Sequence, residues 1–154
     1  MALHTVDDLT KILLTSAFTI VGGVLVFVMG QLLAKFLIEP LHEFRKVLGF
    51  VRFAFDFFAP ELYTPVPGDK ERCDKASDAF RKASADLASS LNSVPWYDLM
   101  SRLFPKVLPP RANASEAVKW LRNLATGVYK ADRSVNYKIV HKLYDLLGFG
   151  TPQE

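Results

Sequence analysis

An arginine, a carboxamide and a histidine close together are a working set for metal-free phosphodiester chemistry. The segment Arg133-Ser134-Val135-Asn136-Tyr137-Lys138-Ile139-Val140-His141 supplies all three within nine residues. A neutral imidazole can take or give a proton near neutral pH, and a guanidinium can stabilise the charge on a phosphorane. Seven residues separate Arg133 from His141, and four separate Asn136 from His141. The plainer reading, and the one to be preferred, is that Asn136 and His141 are polar groups satisfied by hydrogen bonds at the surface of a helical bundle. The other histidines, His4 and His42, are too scattered for metal-ligand spacing, and Cys73 is the single cysteine. Neither a metal centre, nor a cofactor, nor an internal disulfide is expected. The chain also lacks a glycine-rich phosphate loop, a nucleophile elbow and an HExxH helix, so most nucleotide and hydrolase chemistries lack their usual parts.

The stretch that must position everything else is residues 12–34, which carries no charge between Lys11 and Lys35. As a helix its 23 residues reach roughly 34 Å, enough to cross a hydrocarbon core of about 30 Å. Thirteen of them are Leu, Ile, Val or Phe, each favoured at mid-bilayer by about 0.3–0.6 kcal/mol. One transmembrane helix is therefore expected. A helix buried in a soluble protein is the first rival, and a chain of 154 residues holds little other protein to surround it. A cleavable signal peptide is the second, with Val28 and Gly30 before Gln31 loosely fitting a cleavage site. Against it, the apolar run exceeds a signal core of about 7–15 residues and no basic cluster precedes it.

Ser16, Gly23 and Gly30 recur every seven residues along this helix, and Thr19 with Gly23 forms a small-xxx-small pair. Such a stripe lets a second helix approach closely. A single span cannot bury it within its own chain, so a homo-oligomer or another protein is the expected partner, with Gln31 on the same interface. Two plainer readings stand beside this one: Gly and Ser are common in membrane helices, and Gln31 can reach interfacial water.

The chain divides into residues 1–40, a short polar lead and the span, and residues 41–154, a small domain. Before the span Lys11 stands near Asp7 and Asp8, whereas Lys35, Arg45, Lys46 and Arg52 follow it. The positive-inside rule then places the second part in the cytosol of a bacterial cell, below its inner (cytoplasmic) membrane. The lone cysteine suits a reducing compartment. Residues 41–154 hold 17 basic and 13 acidic side chains, 17 − 13 = +4. That excess suits an anionic bilayer surface and falls short of a nucleic-acid footprint.

The domain reads as all-α, a small helical bundle without strands or repeats. Glu39-Pro40 interrupts the first helix, and the second runs over residues 41–58, apolar around most of its circumference, with Arg52 and Asp56 spaced to pair. It belongs either on the membrane interface or within the bundle. Residues 59–69, with three prolines and a glycine, predict a turn or extended connector. Asp69 caps a third helix reaching residue 91, whose packing face is Cys73, Ala76, Phe80, Ala83, Leu87 and Leu91. A fourth short helix over residues 93–104 bears Trp96, Tyr97, Leu99 and Leu103. Asn113 with Glu116 resembles a capping box opening the fifth helix, which competes with the glycosylation sequon Asn113-Ala114-Ser115 and is preferred in a cytosolic domain. The fifth helix, to residue 129, faces inward with Val118, Leu121, Leu124, Ala125 and Val128. Asp132 caps the sixth, which turns Val135, Ile139, Leu143 and Leu146 inward before Gly148 stops it.

The segment from Arg133 to His141 loosely resembles the signature of HEPN helical-bundle ribonucleases, in which a polar residue follows an arginine and a histidine lies four to six residues beyond it. The separation of Arg133 from His141 is longer than that pattern, and the Asn136 to His141 spacing lacks the arginine. The resemblance implies a membrane-anchored ribonuclease with Arg133, Asn136 and His141 as its catalytic residues. More broadly, the span with Gly-Gln-Leu-Leu (30–33), Glu39-Pro40-Leu41, the Ala/Ser-rich third helix, Val94-Pro95-Trp96-Tyr97 and Leu121-Arg122-Asn123-Leu124 resembles a family of small bacterial single-span membrane proteins, and brings no activity with it. In layout alone the chain is similar to the membrane accessory protein of type VI-B CRISPR systems, with its span, HEPN-like bundle and oligomeric pore. That likeness implies a pore-forming or membrane-perturbing role in antiviral defence. A passive anchor that brings a cytosolic protein to the lipid bilayer is a third expectation, and nucleic acid is not an expected partner of it.

Overall fold

A computed structural model describes residues 2–64, 69–105, 107–130 and 132–150, with side chains from residue 10 onward. All of its regular structure among the described residues is helical. The backbone divides into two units, Met1–Glu39 and Pro40–Glu154.

The first unit is helix α1 (Ala2–Leu33) and a π-helical turn, Ala34–Ile38. The Thr15 and Thr19 hydroxyls donate to the carbonyls of Lys11 and Thr15, at 2.8 and 2.9 Å. Each hydroxyl thus finds an acceptor one turn back and needs no outside partner. The π turn answers Pro40, which lacks an N–H and whose ring would meet the carbonyl four residues earlier in a regular α-helix. The Glu39 N–H instead bonds to the Ala34 carbonyl, a wider turn, and Pro40 falls in the first turn of the next helix.

The second unit contains α2 (Glu39–Phe57, from Pro40 on), α3 (Ala59–Tyr63), α4 (Lys70–Ser93), α5 (Tyr97–Leu103), α6 (Arg111–Lys130) and α7 (Arg133–Leu147). Side-chain size sets how closely they pack. Helices α4 and α6 meet through small residues, Ala76, Ser77, Ala83 and Ser84 against Ala114, Ala117 and Ala125, all buried. They approach closely enough for the Ser84 hydroxyl to donate to the Val118 carbonyl at 2.9 Å. Helix α2 stands off on aromatic rings. Phe44, Val51 and Phe55 form its buried stripe, with Phe55 stacked on Tyr144 at 5.7 Å and Phe44 edge-on to Tyr97 at 5.7 Å. Phe53 and Phe57 of α2 remain exposed. Arg52 and Asp56, spaced to pair, make no ion pair among the described residues.

Asp69 caps α4 by accepting from the Arg72 N–H, and Asp132 caps α7 by accepting from Ser134 and Val135. Gly148 ends α7 at φ 69°, the left-handed geometry that glycine adopts without penalty. Three expectations need correction. The proline-rich connector contains α3, with Pro60 in its first turn; residues 65–68 lie outside the described residues. Helix α6 opens before Asn113, because the Ala114 N–H already bonds to the Pro110 carbonyl at 3.0 Å. Pro110 has its φ set for the start of a helix, so Asn113 sits in the first turn rather than at the cap. Finally, α7 is turned from its expected face: Val135 is exposed and Leu146 half-buried, while Asn136, Val140 and Leu147 are buried beside Ile139 and Leu143.

Two consequences can be measured on detergent-solubilised protein. The buried Tyr97 hydroxyl donates to the Pro109 carbonyl at 2.8 Å, and burial pushes its phenol well above the ordinary range. Tyr97→Phe removes this bond and leaves the carbonyl unpaired, so thermal or urea unfolding should show a loss of about 1–2 kcal/mol; an unchanged midpoint would assign the site to ring packing alone. Hydrogen bonds from the Ser134 side chain and the Val135 backbone hold the Asp132 carboxyl below its usual range. Its folded value is depressed, so its contribution is present above the unfolded carboxylate range and fades as pH falls through the folded value. Asp132→Asn keeps a capping oxygen and removes the titration. Its melting temperature should lie below wild type near neutrality, and the gap should close as pH falls below about 4, where the wild-type carboxyl takes up its proton.

Candidate functional site

The structure separates the three residues of the Arg133 segment by role. Arg133 is exposed in the first turn of α7. Asn136, at 1% exposure, is a core residue. Its amide donates to the Leu62 carbonyl of α3 at 3.2 Å and, in a longer contact, to the Gly127 carbonyl of α6 at 3.5 Å. His141 is half-buried, with its ring 4.2 Å from that of Tyr137, which in turn meets Tyr63 of α3 at 6.2 Å. No hydrogen bond or ring contact joins Arg133, Asn136 and His141 to one another among the described residues. The carboxamide is committed to two backbone carbonyls and faces no open space where a substrate phosphate could sit.

Around Asn136 lies a constellation that the sequence did not announce. A Cβ added to Gly127 would lie 2.6 Å from the Asn136 Oδ1, so α6 gives way there by lacking a side chain. The carboxylate of Glu61 on α3 is buried and pairs with the Arg72 Nε of α4 at 2.6 Å, while its second oxygen, Oε2, has no hydrogen-bond partner among the described residues. Helix α3, only five residues long, is thereby tied to α4, α6 and α7. The available signal was a glycine in the middle of α6, costly in a helix unless it meets something specific; Asn136 lies off the face that apolar spacing marks as inward. Near by, burial and the carboxylates of Asp69, Glu61 and Asp74 push the Cys73 thiol up, which keeps it protonated and a poor nucleophile.

A cavity of about 280 Å³ opens elsewhere in the second unit, between α2, the loop before α6 and the end of α7. Arg45, Asn113 and Asp145 give it polar edges, and Leu48, Pro109 and Phe149 its apolar walls. Its lining contains no histidine, cysteine or hydroxyl side chain, so it offers a polar niche in which Asp145 is the single carboxylate. No group of three or more His, Cys, Asp or Glu that could hold a metal ion occurs among the described residues.

On α1, Ser16, Thr19, Gly23, Gly30 and Gln31 are all exposed. A Cβ built at Gly23 or Gly30 meets nothing within 4 Å among the described residues. Large apolar side chains share that exposure, from Ile12 at 62% to Ile38 at 63%. The helix is long and apolar enough to cross a membrane, with a mean hydropathy of 2.4 in its best window and none of that window buried. No protein family, curated protein or solved structure matches the chain.

The Asn136 and Gly127 pair yields a double-mutant test. Alanine at position 127 gains about 1 kcal/mol of helix propensity but collides with the Asn136 oxygen, and a net loss of about 1–3 kcal/mol is expected. Asn136→Ala should lose about 2–4 kcal/mol through its unpaired carbonyl partners and the void. Combining the two relieves the clash, so the double variant should be more stable than the sum of the single losses by about 1 kcal/mol or more. Strict additivity in denaturation would show that the two residues do not interlock.

Proposed function

We propose that the protein is a single-pass membrane protein that self-associates, with α1 crossing the bilayer, the stripe of Ser16, Thr19, Gly23 and Gly30 forming its contact with a second copy, and the helical bundle on the cytosolic side of a bacterial inner membrane. One observation carries the reading: α1 exposes large apolar side chains along its length from Ile12 to Leu33, with none of its most apolar window buried among the described residues, while the second unit buries a core of its own. A helix of that composition is stable in hydrocarbon and aggregates in water. The small residues supply close approach between spans, where apolar side chains gain nothing from leaving lipid. Lys35, Arg45, Lys46 and Arg52 support the orientation through the positive-inside rule. The layout likeness to the type VI-B accessory protein extends the proposal to membrane perturbation in antiviral defence. A ribonuclease reading draws no support from the geometry, since Asn136 is spent on the core.

The test begins with membranes washed in alkaline carbonate. The full-length chain, its intact mass showing no cleavage after Gly30, should stay in the pellet, and in mild detergent it should run as an oligomer. Gly23→Leu should shift that oligomer toward monomer by about tenfold or more in dissociation constant, from the lost close approach, without releasing the protein from membranes. Recovery of the intact chain in the soluble fraction would overturn the membrane assignment; a monomer at every concentration would overturn self-association alone.

A further inference from the structure

Helix α5 carries an apolar face that the bundle does not use. Tyr97 and Met100 point inward, at 1% and 7% exposure, whereas Trp96, Leu99, Leu103 and Phe104 stand in the open. Trp96, at 76%, is the most exposed large apolar side chain among the described residues, more so than any in α1. It also holds φ 47°, a left-handed conformation that bulky residues rarely adopt. That backbone projects the indole clear of the protein, and its N–H has no acceptor among the described residues.

The location of this face within the second unit points to its occupant. Tyr97 packs edge-on against Phe44 at 5.7 Å, so α5 lies beside the opening turns of α2, where the second unit begins. Phe44 follows Lys35 by only nine residues, about 14 Å of helical chain. Arg45 and Arg102 are exposed there without an ion pair among the described residues, and Arg111 reaches over the Tyr97 ring at 5.9 Å. The acids of the same region are Asp98, Glu39 at the start of α2, Asp145, which shares a cavity edge with Arg45, and Glu43, paired with Lys46 at 2.7 Å.

We propose that α5 is an interfacial foot: Trp96, Leu99, Leu103 and Phe104 enter the headgroup region of the bilayer that α1 crosses. The proposal rests on the membrane reading above, since a chain that leaves the bilayer near Lys35 brings the start of α2, and α5 with it, to the lipid surface. An indole suits that depth because its ring prefers the acyl boundary while its N–H still finds water or a headgroup oxygen. The arginines favour anionic headgroups, and the apolar area buried at the interface holds the bundle against the membrane.

Trp96 is its own reporter once Trp120, which donates to Glu116 at 3.1 Å, is replaced by Phe in the full chain. The protein is reconstituted in phosphatidylcholine vesicles containing a quarter phosphatidylglycerol, with and without bromine on the acyl chains, and titrated with aqueous iodide. The expected result is blue-shifted Trp96 emission, roughly twofold quenching by brominated lipid and little by iodide, all lost in Leu99→Asp/Leu103→Asp. Subtracting the spectrum of Trp96→Phe from that of the wild type gives the same signal with Trp120 in place. Water-like emission quenched by iodide, in vesicles from which carbonate does not extract the chain, overturns the foot and leaves the span standing. Shielding from iodide and bromine alike overturns it in favour of a protein covering, a second copy included. Extraction by carbonate removes the span, and the foot with it.

Discussion

A single buried carboxamide determines how the second unit closes. Asn136 is the only side chain that reaches from α7 to the backbones of both α3 and α6 among the hydrogen bonds of the described residues. Its two acceptors, the carbonyls of Leu62 and Gly127, would otherwise compete with an apolar interior, where an unpaired polar group costs about 1–3 kcal/mol. Satisfying the amide requires α7 to turn Asn136 inward, which rotates Val135 out, and requires α6 to present a residue without a side chain at position 127. Helix α3 is thereby fixed from one side, and the pair between Glu61 and Arg72 fixes it from another. A helix of five residues has no stability of its own; these tertiary ties hold it.

The same unit uses two packing regimes around that point. Alanine and serine let α4 and α6 approach until a hydroxyl bonds across them, whereas α2 meets the bundle through phenylalanine and tyrosine rings. Close packing maximises dispersion contact where the helices run together, and rings fill the space between α2 and the rest of the bundle. Tyr97 joins these regimes, with one face on Phe44 and its hydroxyl on the Pro109 carbonyl. That loop is therefore pinned by a long side chain at the place where prolines deprive it of backbone donors.

Local chemistry made part of this arrangement readable from sequence. The caps at Asp69 and Asp132 and the stop at Gly148 depend on a few adjacent residues, and the helical class follows from three- and four-residue apolar spacing. The misreadings occurred where a distant partner decides. Asn136 was assigned outward because an asparagine is polar, and only Leu62, far away in the chain, gives it reason to turn inward. Helix α3 was hidden by its prolines, because its support comes from α4, α6 and α7 rather than from its own propensity. Arg52 and Asp56 had the right spacing to pair, yet spacing on an exposed face contributes little and does not hold two mobile side chains together. The Arg133 to His141 segment suffered from the same limit: proximity in sequence said nothing of which way each side chain would face.

The proposed membrane assignment follows from an asymmetry between the units. The second unit encloses Phe44, Phe80, Leu87, Leu121, Leu124 and Leu143 almost completely. Between Ile12 and Ile38 sixteen large apolar side chains are exposed, and keeping one such side chain in water forgoes about 1.5–3 kcal/mol. Even a third of that sum rivals the whole stability of a domain, about 5–15 kcal/mol. The second unit has no unfilled core to offer them, because its helices already satisfy one another. In the proposed assignment a medium of hydrocarbon covers the apolar side chains of α1 on all sides at once. In the same proposal a second copy covers one face, along the narrow stripe of small residues.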